Sequence, residues 1–566
     1  MAQAARTATS SPAGNAAHPF FVDGKWIWEK NYPPGVTWNA VIAPRPLPEL
    51  LEHAAKEFAD NIFCDFAGKA MTYAEALNTV NRIAKGLQDL GVKKGVNVGL
   101  FLPNSPHSIL FHYGVLKAGG TVVNYNPLYV GRELASQAAD SKTAIMVTVD
   151  TPDLRAKADG LLGKASLEKI ILCPAEDGAT VSEDAAHIAY DTLVQNDGAF
   201  NAPAIDAEND IAVLQYTGGT TGTPKGAMLT HANVHANVEQ VCRWINDVAA
   251  PGKETIVGVL PFFHVFAMTV VMHCSIRLGK KILIHHKFDL KDVLHSLKAH
   301  KPTFFPAVPA VFNALANCPD VTPEDFASLK FCITGGAPMP ADVQRLFEEK
   351  TGCKALREAY GLTEASPAVT FNPPTDKARP GSVGLPLPGT VVDIVHPETG
   401  ALQPPGEKGE VCVHGPQVMK GYYNKEDETA RVIEADGRLR TGDVGYIDED
   451  GFLHLVDRLK DLIIVRGYNV YPRVVEEAIY LHPAVEECIV AGVPDDTRGE
   501  TVRAWVKPAA GKTLTEGELN TFLEDKISAI ERPRKIIIRD EPLPKTAVGK
   551  LSKKDLLAQE GIERKR

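Results

Sequence analysis

A segment rich in glycine and threonine has the composition of a polyphosphate-binding loop. It reads Tyr216-Thr-Gly-Gly-Thr-Thr-Gly-Thr-Pro-Lys-Gly226. Glycines let the backbone turn sharply and approach a ligand closely. Threonine hydroxyls, successive backbone N–H groups and a lysine can together surround an anion. Pro224 precedes the lysine and Gly226 follows it, so the segment does not fit the pattern G-x-x-x-x-G-K-[ST]. We predict a phosphate loop of another kind, which follows an apolar, strand-like run.

The length and charge of the chain limit the classes of function. A chain of 566 residues is too long for one core, so several domains are expected. Apolar residues make up 44% and charged residues 23%, as in ordinary soluble proteins. The formal net charge of −10 argues against a nucleic-acid partner, which needs a basic footprint. An anionic ligand must therefore be held by a local basic site.

The cysteines and the N-terminus indicate a cytoplasmic protein. The nine cysteines are odd in number and form no C-x-x-C pair. This pattern predicts a reducing compartment, without a disulfide framework or a structural zinc site. The first sixteen residues lack the apolar core of a signal peptide. We predict that residues 1–20 form a disordered tail.

One apolar segment is long enough to cross a membrane. Residues 256–276 contain no Asp, Glu, Lys or Arg. Pro261, His264 and His273 interrupt the segment. We therefore predict a buried strand, a loop and a core helix here, rather than a membrane span.

The pattern of apolar residues changes along the chain. Residues 73–90 carry apolar side chains at steps of three and four, which predicts an amphipathic helix, and residues 96–102 alternate as a strand. This alternation of helix and strand recurs and predicts parallel sheets with crossover helices. After about residue 380, short strands separated by Gly, Pro and Asp predict a smaller β-rich unit. The charged run Asp457-Arg-Leu-Lys-Asp461 then marks a domain boundary.

Further motifs follow the phosphate loop in a fixed order. They are Gly335-Gly-Ala-Pro338, Tyr360-Gly-Leu-Thr-Glu364, Thr441-Gly-Asp443, Asp457-Arg-Leu-Lys460, Arg466-Gly-Tyr-Asn-Val-Tyr-Pro472 and Pro544-Lys-Thr-Ala-Val-Gly-Lys550. From about residue 45 onward, the chain resembles the adenylate-forming superfamily of acyl-CoA synthetases, luciferases and peptide-synthetase adenylation domains. It is most similar to the bacterial medium- and long-chain fatty-acid–CoA ligases. The segments that carry this closer resemblance are Val123-Asn-Tyr-Asn-Pro-Leu-Tyr129, Tyr360-Gly-Leu-Thr-Glu-Ala-Ser-Pro367, Gly415-Pro-Gln-Val-Met-Lys-Gly-Tyr422 and Val456-Asp-Arg-Leu-Lys460.

The resemblance implies a fold and a domain organisation. The fold class is α/β, with a large N-terminal domain of two αβαβα-type sheet subdomains plus a small β-rich unit. A small, mobile α+β C-terminal domain follows. We expect the large AMP- and acyl-binding domain to span residues 21–457, the hinge residues 458–461 and the C-terminal domain residues 462–566.

The resemblance also implies a reaction in two steps, with ATP, Mg²⁺ and coenzyme A. A carboxylate attacks the α-phosphate of ATP, which gives an acyl-adenylate and pyrophosphate. Coenzyme A then displaces AMP and forms the thioester. This route splits one difficult acyl transfer into two easier steps.

Residues at matching positions are expected to hold the nucleotide. The phosphate contacts implied are Thr217, Gly218, Gly219, Thr220, Thr221, Gly222, Thr223 and Lys225. Gly335, Gly336, Ala337, Pro338 and Tyr360 are expected to enclose the adenine. Asp443 can accept hydrogen bonds from the ribose hydroxyls, and Arg458 resembles a contact to ribose or phosphate. Thr363 is expected to touch the α-phosphate, and Glu364 to supply a carboxylate oxygen to Mg²⁺.

The C-terminal domain is expected to supply the catalytic lysine. Lys550 resembles the residue whose ammonium stabilises the negative charge that builds up during adenylation. Lys460 resembles the hinge, about which the domain presents either Lys550 or the coenzyme A loop around Gly467. Asn469 stands where some relatives carry an arginine that contacts coenzyme A. Lys553 and Lys554 stand where many relatives carry arginines, which leaves their contribution open.

The residue types around the acyl group leave the substrate open. His264 is either a gate of the acyl or pantetheine channel or a core residue, and the pair His285 and His286 lacks the spacing of metal ligands. The candidate pocket walls are mostly apolar and favour an alkyl chain: His264, Val265, Phe266, Val308, Gly335, Gly336, Ala365 and Val369. A basic residue at the far end of the pocket would instead suit a second carboxylate.

Other classes of function also stay open. Dicarboxylic or aromatic acids could be activated by the same mechanism, and a non-catalytic nucleotide-binding protein could use the same fold. A peptide-synthetase loading domain would usually have an Asp in its pocket to bind the ammonium of its amino acid. The candidate walls contain no such acidic residue. A lipid substrate would allow peripheral contact with the inner face of the membrane, and a homodimer is a further expected assembly.

Overall fold

The computed structural model describes residues 18–562, apart from residues 177, 218–223, 467, 496–498 and 546–550. The predicted phosphate-loop residues Gly218 to Thr223, the loop residue Gly467 and the catalytic candidate Lys550 therefore lie outside the described residues. Their roles remain predictions.

The first large sheet carries the candidate phosphate segment at one edge. In spatial order its described strands are Lys225–Thr230, Ile211–Thr217, Thr121–Asn124, Asn97–Phe101, Thr143–Val149, Lys169–Cys173 and His187–Ala189. The strands run parallel except for Lys225–Thr230, which pairs antiparallel with Ile211–Thr217. Because Thr217 pairs with Lys225, the two ends of the glycine- and threonine-rich segment are adjacent.

The second large sheet carries the adenine and magnesium motifs. In spatial order its described strands are Leu385–Pro386, Ala368–Phe371, Leu356–Gly361, Phe331–Thr334, Phe304–Ala307, Thr255–Gly258, Lys281–Ile284, Ile62–Phe66 and Lys69–Thr72. The central strands are parallel, and antiparallel pairs lie at both edges. The carboxyl ends of Phe331–Thr334 and Leu356–Gly361 lead directly into predicted site segments, as expected for ligand sites on open parallel sheets.

Helices cover the two sheets. The α-helices of the large domain are Pro48–Glu57, Tyr73–Asp89, Pro106–Ala118, Gly131–Ser141, Pro152–Asp159, Tyr190–Leu193, His231–Trp244, Cys274–Arg277, Leu290–His300, Pro309–Ala316, Ala341–Thr351 and Glu426–Val432. Short 3₁₀ helices span Ile27–Asn31, Pro323–Asp325 and Thr363–Ala365. The predicted helix over residues 73–90 is confirmed as Tyr73–Asp89. A reciprocal cap between Thr72 and Glu75 begins it.

The β-rich unit brings two predicted ribose contacts into register. It is an antiparallel sheet of Val391–Val395, Gly409–His414, Leu439–Ile447 and Leu453–Arg458, and a hairpin of Phe21–Val22 and Lys25–Trp26 lies nearer the N-terminus. Asp443 is the cross-strand partner of Arg458. Directly opposed residues on antiparallel strands have closely spaced side chains. This pairing places the two predicted nucleotide contacts side by side.

The C-terminal domain is a mixed sheet with helices packed on it. Its strands are Ile463–Val465, Tyr468–Val470, Val485–Asp495, Gly499–Pro508 and Lys535–Ile538, and its helices are Pro472–Tyr480, Glu516–Phe522 and Lys553–Gln559. Lys535–Ile538 runs parallel to Gly499–Pro508, whereas Val485–Asp495 runs antiparallel to it. Val475, Ile479, Val490, Ala504 and Leu519 belong to the core of this domain. The α/β fold class, with a large N-terminal and a small C-terminal domain, is confirmed.

The apolar segment at residues 256–276 folds as a strand, a loop and a helical part, as predicted. The strand is Thr255–Gly258, and the helical part is the π-helix Ala267–His273 followed by Cys274–Arg277. Within the part of the chain that the structure describes, no helix is long and apolar enough to cross a bilayer.

The predicted disordered tail, residues 1–20, is too long at its C-terminal end, because His18 and Phe20 pack against the folded protein. In the structure Phe20 is buried, and His18 contacts Asp393 with a Nε2–Oδ1 distance of 2.9 Å. The aromatic rings of Phe20 and Trp26 are part of the main core, which explains why this stretch is packed.

Candidate active site

A large cleft collects the predicted site residues. Its volume is about 3820 Å³, and both domains contribute to its lining. The described residues that the sequence assigned to ATP, catalysis and the hinge all line it: Thr217, Lys225, His264, Gly335, Gly336, Ala337, Pro338, Tyr360, Thr363, Glu364, Asp443, Arg458 and Lys460. Motifs separated by more than two hundred residues therefore share one space.

Asp443, which is itself buried, lies at the centre of a polar group in the cleft. Its Oδ2 accepts a hydrogen bond of 2.5 Å from the hydroxyl of Tyr360, and its Oδ1 lies 2.8 Å from Nε of Arg458. The Asp443 carboxylate raises the pKa of Arg458, and burial raises the pKa of Tyr360 well above its usual value. A carboxylate can accept about four hydrogen bonds. Asp443 therefore keeps acceptor capacity for a ligand hydroxyl on each oxygen.

Glu364 forms a second polar group with residues from two distant segments. Its Oε1 accepts a hydrogen bond of 2.7 Å from the hydroxyl of Tyr422, while Oε2 has no hydrogen-bond partner among the described residues. Nζ of Lys225 lies 5.1 Å from the centroid of the Tyr422 ring and forms an ion pair with Glu428. Burial and the nearby Glu364 raise the pKa of Tyr422, so the hydroxyl remains a donor at neutral pH.

The turn that carries Thr363 and Glu364 is held from two sides. The backbone N–H of Met419 donates to the carbonyl of Glu364 at 2.8 Å. The hydroxyl of Thr269 donates to the carbonyl of Ser366 at 2.6 Å. The π-helix Ala267–His273 and the loop before Tyr422 thus fix the position of the 3₁₀ helix Thr363–Ala365.

The predicted adenine turn follows the strand Phe331–Thr334. Gly336 has a φ of 78°, a left-handed conformation that glycine adopts without strain. A Cβ on Gly335 would lie 3.1 Å from the carbonyl oxygen of Ala359, so a side chain would crowd the next strand. The backbone N–H of Met339 closes the turn by donating to Oε1 of buried Glu358 at 3.1 Å. Burial raises the pKa of Glu358 to about 7.

His264 is half-buried at the wall of the cleft. Its Nδ1 accepts a hydrogen bond of 3.3 Å from the backbone N–H of Phe266. This bond requires an unprotonated Nδ1, and a neutral ring then carries its proton on Nε2. The position at the cleft agrees with the predicted gate more than with a core residue, but the gating role remains a prediction.

The acyl walls differ in part from the predicted set. Val265 and Phe266 line the cleft with the glycines 335 and 336, whereas Val308, Ala365 and Val369 are not among the described residues that line it. Ala365 and Val369 are instead completely buried in the core. Val270, Ala368, Phe371 and Val383 take their place along the cleft. These four residues are also apolar, so the prediction that the pocket suits an alkyl chain is unchanged.

Charged residues connect the two domains at the predicted hinge. Asp457 accepts a hydrogen bond of 2.7 Å from the backbone N–H of Arg473, the second residue of the helix Pro472–Tyr480. Nζ of Lys553 lies 3.2 Å from Oε1 of Glu476 on the same helix. Burial alone would lower the pKa of Lys553, but Glu476, Asp457 and Asp461 raise it. Burial lowers the pKa of Lys460.

The described residues that follow Lys550 in the sequence line the cleft. Leu551, Ser552 and Lys553 line it, whereas none of the described residues of the 463–471 hairpin does. In that hairpin Tyr468 is 65% exposed, and Asn469 is exposed as well.

Sequence reasoning missed several residues of the site. Tyr422 occurs in a recognised motif, but nothing in the sequence shows that it contacts Glu364, which lies 58 positions earlier. No sequence motif or spacing pointed to Glu428 or Glu358 as residues of the site. Asn124 and Gln215 also line the cleft and are joined by a hydrogen bond of 2.8 Å.

The arrangement defines a nucleotide-binding enzyme of a known class. Residues 51–423 match the family of AMP-binding enzymes, and residues 474–550 match the AMP-binding enzyme C-terminal domain. The chain therefore belongs to the AMP-binding enzyme family, which confirms the superfamily that the motifs indicated.

Among individual proteins, bacterial long-chain-fatty-acid–CoA ligases are similar over almost the whole chain. The protein of that name from Bacillus subtilis is 41% identical over 553 residues, which cover 94% of this chain and 98% of the relative. The one from Salmonella typhimurium is 37% identical over 558 residues, with the same two coverages. The crystal structure of ATP-bound MatB from Rhodopseudomonas palustris aligns with a TM-score of 0.83 at 30% identity, over 90% of this chain and 98% of that one.

Proposed function

We propose that this protein is an ATP-dependent acyl-CoA ligase that activates a medium- or long-chain fatty acid. The acid is joined to AMP with release of pyrophosphate, and coenzyme A then displaces AMP. The observation that carries this proposal is the convergence on one cleft of the described residues predicted to bind ATP or to act in catalysis. The similarity to long-chain-fatty-acid–CoA ligases supports the substrate class.

The polar group around Asp443 fits the nucleoside of ATP. Asp443 presents a carboxylate whose orientation is fixed by Tyr360 and Arg458. A fixed acceptor needs little reorganisation when it binds a ribose hydroxyl. Gly335 and Gly336 also line the cleft, and glycines allow a flat adenine to approach the backbone closely.

The carboxylate of Glu364 fits a magnesium ion held together with phosphates. One of its oxygens is oriented by Tyr422, and the other is directed to no protein donor among the described residues. Mg²⁺ is commonly held by one or two carboxylates plus phosphate oxygens. When bound, the ion would neutralise phosphate charge. Lys225 approaches the same region and would contact the phosphates once it leaves Glu428.

Lys550 is proposed to act in the first step. Its described neighbours Leu551 and Ser552 line the same cleft as Glu364 and Asp443. An ammonium placed there stabilises the negative charge that develops on the α-phosphate oxygens during attack. The loop around Gly467 is proposed to replace this segment for the second step, with Lys460 at the hinge.

A two-step assay tests these roles. We expect Lys550→Ala to reduce acyl-adenylate formation by roughly a thousand-fold, by analogy with the loss of one preorganised charge donor. Thioester formation from supplied acyl-adenylate and coenzyme A should remain near the wild-type rate. Lys512→Ala, which removes an exposed lysine of the same domain that does not line the cleft, is the control. Equal losses in both steps would contradict the assignment.

A further inference from the structure

Lys280 is a buried lysine behind the acyl part of the cleft. It immediately precedes the strand Lys281–Ile284 and is only 1% exposed. Its Nζ lies 3.4 Å from the centroid of the Phe304 ring. This position is unusual because lysine is almost never fully buried unless it is paired.

Among the described residues no carboxylate forms an ion pair with the ammonium of Lys280, although the nearby Glu254, Cys242 and Cys274 favour its charge and Lys330 opposes it. None of the described residues offers its Nζ a hydrogen-bond acceptor, and the ring of Phe304 is its polarisable neighbour. The nearby lysines behave differently: Nζ of Lys330 lies 2.7 Å from Glu254, and Nζ of Lys281 lies 3.0 Å from Asp65. A buried ammonium without an acceptor destabilises the fold, so it requires an explanation such as a bound ligand.

Lys280 lines a small cavity. Its volume is about 20 Å³, enough for one group the size of a water molecule. The remaining walls come mainly from apolar side chains, including Ile256, Phe304 and Ile333. A single polar group bound here would meet Lys280 as its cationic partner.

The cavity adjoins the acyl part of the cleft. Val270 and Phe371 line both spaces and form the partition between them. Val270 belongs to the π-helix Ala267–His273, and Phe371 ends the strand that follows the Glu364 turn. An acyl chain that extends past these two side chains would bring its distal end to Lys280.

We propose that Lys280 binds an oxygen-bearing distal end of the acyl chain, either an ω-hydroxyl or an ω-carboxylate. This inference rests on the proposed acyl-CoA ligase function and specifies its substrate class. An ammonium supplies up to three hydrogen-bond donors to such an oxygen. Burial lowers the pKa of Lys280 to about 8, so the group still carries its charge at pH 7.

Activity on matched acids tests this specificity. The substrates are unsubstituted, ω-hydroxy and α,ω-dicarboxylic acids of equal chain length, in ATP–pyrophosphate exchange without coenzyme A. We expect Lys280→Met to lower kcat/KM by about ten-fold or more for an ω-oxygenated acid, as for a lost hydrogen bond to a charged group. The unsubstituted acid should be used as well or better. Lys281→Met, which removes the lysine at the next position that pairs with Asp65 and does not line the cavity, is the control.

The outcomes separate this proposal from the general function. A lower kcat/KM of Lys280→Met with both ω-oxygenated acids supports the proposal. A lower kcat/KM with only one of them supports it as well and identifies the preferred end group. Equal effects of Lys280→Met on all three acids would overturn this proposal. The proposed acyl-CoA ligase function would still stand, because the exchange shows that the acids are activated. Exchange with none of the acids would overturn the proposed function instead, and this inference with it.

Thermal stability gives a readout that does not depend on activity. An unpaired ammonium lowers stability at pH 7, so Lys280→Met should raise Tm. The gain should shrink as the pH rises from about 8 toward 10.5, because the ammonium is then lost from both folded and unfolded chains. A lower Tm for Lys280→Met would show that Lys280 supports the fold and would overturn the proposal.

Discussion

At the scale of single residues, Asp443 has the most defined environment in the site. It is 5% exposed and contacts both Tyr360 and Arg458. These contacts come from different strands, so they fix the carboxylate in one orientation. A ribose hydroxyl would meet an acceptor that is already positioned.

Replacement of this carboxylate should weaken ATP binding. Asp443→Asn keeps the shape but removes the charge that Arg458 faces, so KM for ATP should rise by roughly ten- to a hundred-fold, as for a lost charge-assisted hydrogen bond. The measurement is the ATP dependence of the initial rate. Asp436→Asn, in an exposed turn, is the control and should leave KM unchanged. A wild-type KM for Asp443→Asn would remove Asp443 from the ATP site.

Motif residues could be predicted from the sequence, but their partners could not. Glu364 and Asp443 stand in short motifs whose residue types suggest their chemistry. Tyr422 contacts Glu364, and Glu428 contacts Lys225. Both contacts form because the loop after Gly415 folds back onto the first sheet. There the backbone N–H of Met228 donates to the carbonyl of Gly421 at 2.9 Å. Such long-range contacts depend on tertiary packing and leave no local pattern.

At the scale of elements, Gly361 controls the turn that carries Glu364. It ends the strand Leu356–Gly361, and a Cβ there would lie 2.2 Å from the carbonyl oxygen of Pro367. The same oxygen accepts a hydrogen bond of 3.0 Å from the backbone N–H of Leu362. A side chain at residue 361 would therefore push the whole turn.

A methyl group at this position should damage activity and stability. Gly361→Ala should lower stability by about 1–3 kcal/mol, as overpacking does, and should reduce kcat by more than ten-fold because Glu364 moves with the turn. Thermal melts and ATP–pyrophosphate exchange provide the two measurements. Gly517→Ala is the control, because its added Cβ meets nothing within 4 Å. If Gly361→Ala keeps wild-type kcat, the turn does not position Glu364.

The junction between the domains is a second element with a testable role. Lys553 lies among Glu476, Asp457 and Asp461, which come from both sides of the hinge. Its charge offsets theirs in the arrangement in which Leu551 and Ser552 line the cleft. Loss of this charge should favour other arrangements of the C-terminal domain.

Distance measurements between the domains test this role of Lys553. Cysteines introduced as Lys287→Cys in the large domain and Lys512→Cys in the C-terminal domain are exposed positions for spin labels. The labels would react selectively with them, because the nine native cysteines are all buried. We expect Lys553→Met to broaden the distance distribution and Lys553→Arg to restore it, since arginine keeps the charge. Identical distributions for wild type and Lys553→Met would show that the cluster does not hold the domains.

The elements themselves were largely predictable, with an exception that has a physical reason. The amphipathic helix Tyr73–Asp89 and the alternating strands follow their patterns closely. The π-helix Ala267–His273 could be expected only as a core helix, because its residues are all buried and apolar periodicity is lost. It also makes a contact that the sequence does not show, the hydrogen bond from Thr269 to Ser366.

At the scale of the whole molecule, a buried histidine cluster links stability to pH. His112, His231, His235 and His273 are all at most 5% exposed, and the rings of His112 and His273 lie 4.9 Å apart. Burial lowers the pKa of His112 to about 3 and those of His231 and His235 to about 4. Burial also lowers the pKa of His273 well below its usual value.

These histidines should make the protein less stable in mild acid. Their folded pKa values are depressed, so their contribution is fully present above the unfolded value of about 6.5 and is lost as the pH falls from there toward 3 or 4. We expect Tm to fall steadily between pH 6.5 and 4.5, with unfolding coupled to uptake of about four protons near pH 5 from this cluster. Calorimetry in buffers of different ionisation enthalpy measures that uptake. Uptake of less than about one proton would contradict neutral buried rings.

The central claim is that the cleft joins a fatty acid to AMP. The most direct measurement is carboxylate-dependent ATP–pyrophosphate exchange in the absence of coenzyme A, with fatty acids of four to eighteen carbons, pimelate and benzoate. We predict exchange that requires the acid, is strongest with a medium- or long-chain fatty acid and is lost in Lys550→Ala. Absence of exchange with every acid, in protein that still binds ATP, would contradict the claim and indicate a nucleotide-binding protein without this chemistry.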